Sequence, residues 1–194
     1  MAGRPKQFNE IEIIDKAIEI FWSKGYEAAS ADELLKAMNI GKGSFYLAFP
    51  GGKRELFEKS LTRFSDRSAA VFNENLLKAR SPVEFIKTFF LKLPALPLER
   101  KLKGCYLGNA VMEMAGIDQE LKENASNLLG NLQASFTAII RNAQEQGLLK
   151  TRQPAELLSL HLINLWNGIN LTQRLYPDNK SIKDVIHMNL ILLE

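Results

Sequence analysis

Apolar residues recur three and four positions apart along most of this chain, the spacing of one face of an α-helix. No stretch reads convincingly with the two-residue period of a strand. Ile11, Ile14, Ile18, Phe21 and Trp22 define a first helix, opened by the capping pair Asn9-x-x-Glu12 and closed by Gly25. Ser30-x-x-Glu33 repeats that opening signal and predicts a short second helix to about Met38. Asn39-Ile40-Gly41 supplies the turn, because asparagine and glycine tolerate the left-handed backbone a tight corner needs. A short third helix follows over about 42–48 and stops at Pro50-Gly51-Gly52.

A long fourth helix is expected from Lys53 to about Ala79, with Leu56, Phe57, Leu61, Phe64, Phe72 and Leu76 on its apolar side. Ser81-Pro82-x-Glu84 opens a fifth: a serine cap, proline at the first helical position and an acid in the first turn. The segment 94–104, PALPLERKLKG, reads as a loop because two prolines interrupt the pattern. Further helices fit about 106–115, 119–146, 154–176 and 181–193, nine in all. The expected fold is all-α. An N-terminal three-helix helix-turn-helix domain (1–52) is joined by a long helix to a C-terminal helical bundle (53–194).

Composition narrows the class without deciding it. At 194 residues, 46% hydrophobic and 24% charged, the chain matches an ordinary globular protein with room for a sizeable core. A single cysteine excludes an internal disulfide and any multi-cysteine zinc site. The opening MAGRPKQFNE has no apolar core of a signal peptide, and the apolar run 157–171 is too short and too polar for a bilayer span. A cytoplasmic protein with no membrane partner, no cofactor and no metal is expected.

A net charge of +3 is too small to argue for nucleic acid, but its placement is informative. Arg4 and Lys6 precede the first helix. An acidic stretch then runs to Glu33, after which Lys36, Lys42, Lys53 and Arg54 follow with no acid between them. Within this basic stretch lies GKGSFYLAFPGGK, where glycine, lysine and serine together suggest phosphate binding. A nucleotide loop does not fit: glycine separates Lys42 from Ser44, Lys36 stands where the first glycine would be, and a helix precedes instead of a strand.

A DNA backbone fits better. Two short helices joined by a tight turn form a helix-turn-helix whose second helix enters the major groove. With Phe45 and Phe49 inward, Lys42, Gly43, Ser44, Tyr46, Leu47 and Ala48 are left to approach DNA. Ser30 with the amides of Ala31 and its neighbour forms a helix N-terminus suited to a phosphate. Lys53 and Arg54 at the start of the long helix add charge there, and Arg4 adds it ahead of the first helix.

Residues 9–59 resemble the DNA-binding domain of the TetR (TetR/AcrR-like) family of bacterial transcriptional regulators. The likeness runs through FWSKGYEAAS, ADELLKAMNIGKGSFYLAF, and Lys53 with ELF. The resemblance implies DNA contacts at Ser30, Lys42, Gly43, Ser44, Tyr46 and Lys53. Three positions depart from the family pattern. Gly41 replaces a frequent capping serine, Leu47-Ala48 replaces a frequent His-Tyr pair, and PGGK is one residue longer than the usual GSK corner. The resemblance also implies a C-terminal ligand pocket and a two-helix dimer face.

The last two helices are apolar nearly all round, so each needs cover on two sides. Leu160, Ile163, Asn167, Ile186 and Leu190 are the expected contacts of a homodimer. Phe64, Phe89, Cys105, Asn109, Met112, Trp166 and Asn170 are the expected lining of a pocket for a small, mostly apolar effector. Cys105 follows Arg100, Lys101 and Lys103; it reads either as a thiolate sensor of oxidants or electrophiles or as a small core residue. His161 and His187 stand among leucines and isoleucines with no catalytic context, and no catalytic residue is assigned.

The expected function is a ligand-responsive homodimeric repressor that a small molecule releases from a near-palindromic duplex operator. Two rival classes keep the fold but not the role: a helical enzyme or carrier using the C-terminal pocket, and a protein-interaction module using the apolar C-terminal helices.

Overall fold

Residues 9–194 are described by a computed structural model of the chain; Arg4 lies outside them. Among the described residues there are helices and turns but no strand, which is the all-α class the periodicity predicts.

The chain divides into two compact units. The first runs to Ser68 and includes Tyr106–Leu128. It holds α1 (Glu10–Lys24), α2 (Ala31–Met38), α3 (Lys42–Ala48), the first turns of α4 (Gly52–Leu77), α7 (Tyr106–Met114) and the start of α8 (Gln119–Glu145). The second comprises Ala69–Cys105 and Leu129–Glu194. It holds the rest of α4 and α8, α5 (Pro82–Leu91), α6 (Leu98–Lys103), α9 (Ala155–Leu175), α10 (Ile182–Leu190) and two single 3-10 turns, Leu93–Ala95 and Ile191–Leu193.

This division differs from the expected boundary at 52/53. α4 carries Leu56, Phe57 and Leu61 into the first core, each 1% exposed or less, so its first turns belong with α1–α3.

The caps form as their sequences dictate. Asn9 Oδ1 accepts the Ile11 N–H at 3.1 Å while its amide donates to Glu12. Ser30 Oγ accepts from Glu33 N and Ser81 Oγ from Glu84 N. Asn39 closes α2 in the left-handed region at φ 57°. Each such cap is worth about 1 kcal/mol, so they fix helix ends without supplying the bulk of stability.

That bulk comes from the two cores. In the first unit Phe21, Trp22, Phe57, Phe64 and Tyr106 meet edge-on or tilted, with ring centroids 4.9–6.2 Å apart. The Tyr106 hydroxyl is satisfied at 2.6 Å by Ser60 Oγ. Burial pushes it above the ordinary phenol range, so it stays protonated. In the second unit Phe72, Phe85, Phe90 and Phe136 pack with Ile140, Leu162, Ile186 and Leu190.

The segment expected to be a loop at 94–104 instead contains α6. Pro97 stands at its N-cap, where its missing N–H costs nothing, and Glu99 pairs with Lys103 one turn on at 2.7 Å.

Candidate nucleic-acid interface

α2 and α3 meet at the Asn39 turn, where Ile40 N donates to Leu35 O at 3.2 Å. Leu34 and Met38 on α2, and Phe45 and Phe49 beside them in sequence, are all 4% exposed or less. With that face occupied, Lys42, Gly43, Ser44, Tyr46 and Leu47 form the exposed side of α3. Gly41 N-caps α3 without a side-chain bond, leaving the first amides of the helix without an internal partner side chain.

Neither Gly41 nor Gly43 is demanded by the fold. A Cβ built on either meets nothing within 4 Å, and neither has a positive φ. Glycine inside a helix costs about 1 kcal/mol relative to alanine. Gly52 is different: at φ +65° it starts α4, and a Cβ there would lie 3.4 Å from Tyr46 Cε1.

Ser30 and Ala31 are exposed at the start of α2. The Ser30 hydroxyl oxygen is used by its own helix, but its hydrogen remains available to a phosphate. Lys42 is exposed. Lys53 is placed differently: its ammonium lies 4.5 Å above the Tyr26 ring and donates to Glu27 O at 3.3 Å. Arg54, the other cation of the basic stretch, is drawn into a fork on Asp118 (2.7 and 3.2 Å) with Glu120 at 2.6 Å. The guanidinium holds the Asp118 carboxyl below the usual carboxylate range.

Other side chains matter that sequence reading passed over. Glu113 on α7 accepts the backbone N–H groups of Tyr26 and Glu27 at 2.8 and 2.9 Å. Asp15, one of the acids of the stretch that runs to Glu33, is half-buried and forked by Arg63, with both bonds at 3.1 Å. No local motif announces either, because the partners lie 48 to 87 positions away.

The expected pocket residues do not gather as a set. Phe64 belongs to the first core, against Trp22 and Tyr106. Met112 is 79% exposed and lines no interior. Asn109 is half-buried on α7, and Cys105 is half-buried at the end of the second unit's first segment. Phe89, Trp166 and Asn170 do come together: Phe89 stacks on Trp166 at 5.3 Å, and the Asn170 amide donates to Trp166 O. Phe89 also meets Phe72 and Phe136. Within the described residues the Trp166 indole N–H is buried without an acceptor.

The expected dimer residues also separate. Leu160 and Asn167 are exposed on α9, and Ile163 is half-buried against the second core. Ile186 and Leu190, at 0% and 3% exposed, face their own core and are not free to meet a partner. The exposed apolar groups are instead Leu157, Leu160, Leu171 and Leu175 on α9, with Val185, Met188 and Ile191 beyond.

A family model described as "Bacterial regulatory proteins, tetR family" matches residues 13–59, and another, "Tetracyclin repressor-like, C-terminal domain", matches 97–188. The chain belongs to the TetR family. This TetR-family chain is a DNA-binding transcriptional regulator. It is similar to the uncharacterized HTH-type regulator YezE of Bacillus subtilis, at 26% identity over 99% of this chain and all of that one. It also resembles the transcriptional repressor ComR of Escherichia coli, 38% identical over 42% of this chain and 39% of ComR. Among solved structures, a cysteine variant of the TetR-family regulator CifR complexed with 26-bp operator DNA shares the fold. Its TM-score is 0.84 at 22% identity, with 98% of this chain and all of that one covered. No helix among the described residues of this TetR-family regulator is long and apolar enough to cross a membrane.

Proposed function

We propose that this regulator is a homodimeric repressor, acting in the cytoplasm, that a small, mostly apolar effector releases from a near-palindromic operator. The exposed side of α3 carries the reading. Lys42, Gly43, Ser44, Tyr46 and Leu47 point away from the core, and two glycines stand where the chain's own packing asks for none. At Gly43, inside the helix, a side chain omitted at a helix-weakening cost, with nothing inside the protein to avoid, is accounted for by an outside surface that comes close. Duplex DNA supplies that surface: Lys42, the Ser30 hydroxyl and the Ala31 amide reach phosphates, while α3 faces base edges. Lys53 contributes charge there chiefly by way of its seat on Tyr26.

Dimerisation is supported by the exposed leucines of α9. Positions 157, 160, 164, 168, 171 and 175 repeat at three and four, all exposed, with Gly168 open to a close helix approach. A two-fold pair sets two recognition helices about 34–36 Å apart, which matches a near-palindrome. The name of ComR as a repressor supports that sign of regulation. The cluster of Phe89, Trp166 and Phe136 supports an apolar, planar effector, one of whose acceptors would satisfy the Trp166 N–H.

The test is selection of duplexes from a random pool by the full chain, followed by titration at several salt concentrations. A palindromic winner with half-sites one helical turn apart, and affinity falling linearly in log salt, is expected. Failure to retain any duplex at low ionic strength overturns the reading, and leaves the enzyme, carrier or protein-interaction classes.

A further inference from the structure

We infer that Leu47 reads the C5-methyl group of a pyrimidine, a thymine in ordinary DNA, and is the principal base-discriminating side chain of this regulator. The inference rests on the reading that α3 binds DNA.

The argument starts from the helix geometry. Phe45 and Phe49 fix the inward direction of α3. At about 100° per residue, Leu47 and Gly43 lie roughly opposite that direction, at the centre of the outer face. A helical side chain leans toward the N-terminus, over the residues three and four before it. For Leu47 these are Ser44 and Gly43, which offer a hydroxymethyl and nothing, so the isobutyl group stands clear at 79% exposed. Tyr46, the neighbouring aromatic, sits on a flank. Its ring packs edge-on against Phe45 at 5.1 Å and bounds the space over Gly52.

The remaining chemistry of that face is sparse. Arg, Asn, Gln, Asp and Glu, whose paired donors and acceptors match base edges, are all missing from α3. Lys42, in the first turn, is taken up by a phosphate, and Ser44 makes single hydrogen bonds that tolerate several bases. In the major groove only one base edge is apolar, the thymine methyl. An exposed leucine at the centre of the face, with glycine beneath it, complements that methyl and repels the polar edges of guanine, cytosine and adenine. One consequence is specific to this chemistry: 5-methylcytosine presents a methyl at the same groove position as thymine.

The experiment uses the tightest duplex selected from a random pool by the full-length chain. Each thymine of a half-site is replaced by deoxyuridine, which deletes the methyl and keeps the pairing. One symmetry-related position is expected to lose about fourfold in affinity per half-site, the size of one buried methyl(ene). The Leu47→Ala variant binds more weakly and is indifferent to that substitution. A cytosine placed there binds poorly until it is methylated at C5. Should Leu47→Ala bind too weakly to titrate, lowering the salt restores binding through phosphate contacts, and the comparison is made there. If wild type ignores every thymine-to-uracil change, or the variant feels the same change equally, the assignment to Leu47 is overturned while DNA binding stands. If no duplex is selected, the interface itself falls.

Discussion

The carboxylate of Glu113 accepts the backbone N–H of Tyr26 at 2.8 Å, and its other oxygen takes the next amide, that of Glu27, at 2.9 Å. A side chain of α7 thereby occupies the corner between α1 and α2. Gly25, just before it, has φ 87° and ψ 174°, a region open essentially to glycine alone. A Cβ there would meet both Glu113 oxygens at 2.9 Å. The corner is built for the carboxylate twice over, by backbone conformation and by an absent side chain.

Glu113→Ala is expected to cost about 1–3 kcal/mol of stability, since charge-assisted bonds to two amides are lost. Gly25→Ala is expected to cost at least about 1–3 kcal/mol, through backbone strain and through collision of its Cβ with the Glu113 carboxylate. Urea unfolding of each checks this. The double variant should fall short of the sum, because both act on one contact.

Lys42 and Lys53 are expected to separate by salt dependence. Lys42→Ala lowers the slope of log affinity against log salt by about one per subunit, as loss of a phosphate contact does. Lys53→Ala lowers the slope less and lowers the melting temperature more, because its ammonium is seated on the Tyr26 ring and the Glu27 carbonyl. Equal slopes for both variants would remove the distinction.

On the C-terminal helices, Leu160→Glu is expected to shift the protein from dimer to monomer in light scattering with little loss of fold, because Leu160 is 53% exposed. Ile186→Ala should instead cost about 2–5 kcal/mol and leave the dimer's self-affinity nearly unchanged, since that side chain lies in its own core. The opposite pattern would place the contact on the other face of α10.

Acid should act in part through Arg54. The guanidinium depresses the Asp118 carboxyl, so the pair's contribution is fully present above the ordinary carboxylate value and is lost as pH falls through the lower folded value. Arg54→Gln is therefore expected to melt below wild type at neutral pH, with the gap closing below about pH 4. A gap that widens in acid contradicts the sign. Calorimetry across that range makes the measurement.

The helix-turn-helix was legible because its signals are short-ranged. Asn9, Ser30 and Asn39 act on amides or carbonyls within four residues, and the positions of Phe45 and Phe49 determine which side of α3 is left outside. The interior of 94–104 departs from the loop its two prolines suggest, because one of them sits at an N-cap where helices accept it.

Sequence by itself determined the helical class, most helix ends and the outward row on α3, since caps and 3.6-residue periodicity are local properties of the chain. Tertiary structure alone decided which side of α10 is buried. A helix apolar nearly all round has no broad polar face to orient it, and packing against α5 and α9 turned Ile186 and Leu190 inward. It also decided the fate of the charges. Arg54 reads as a DNA-facing cation until the chain returns 64 residues later with Asp118, and Glu113 reads as a surface acid until it meets amides 87 residues behind it. Electrostatic partners are chosen by distance in space, which no local pattern encodes.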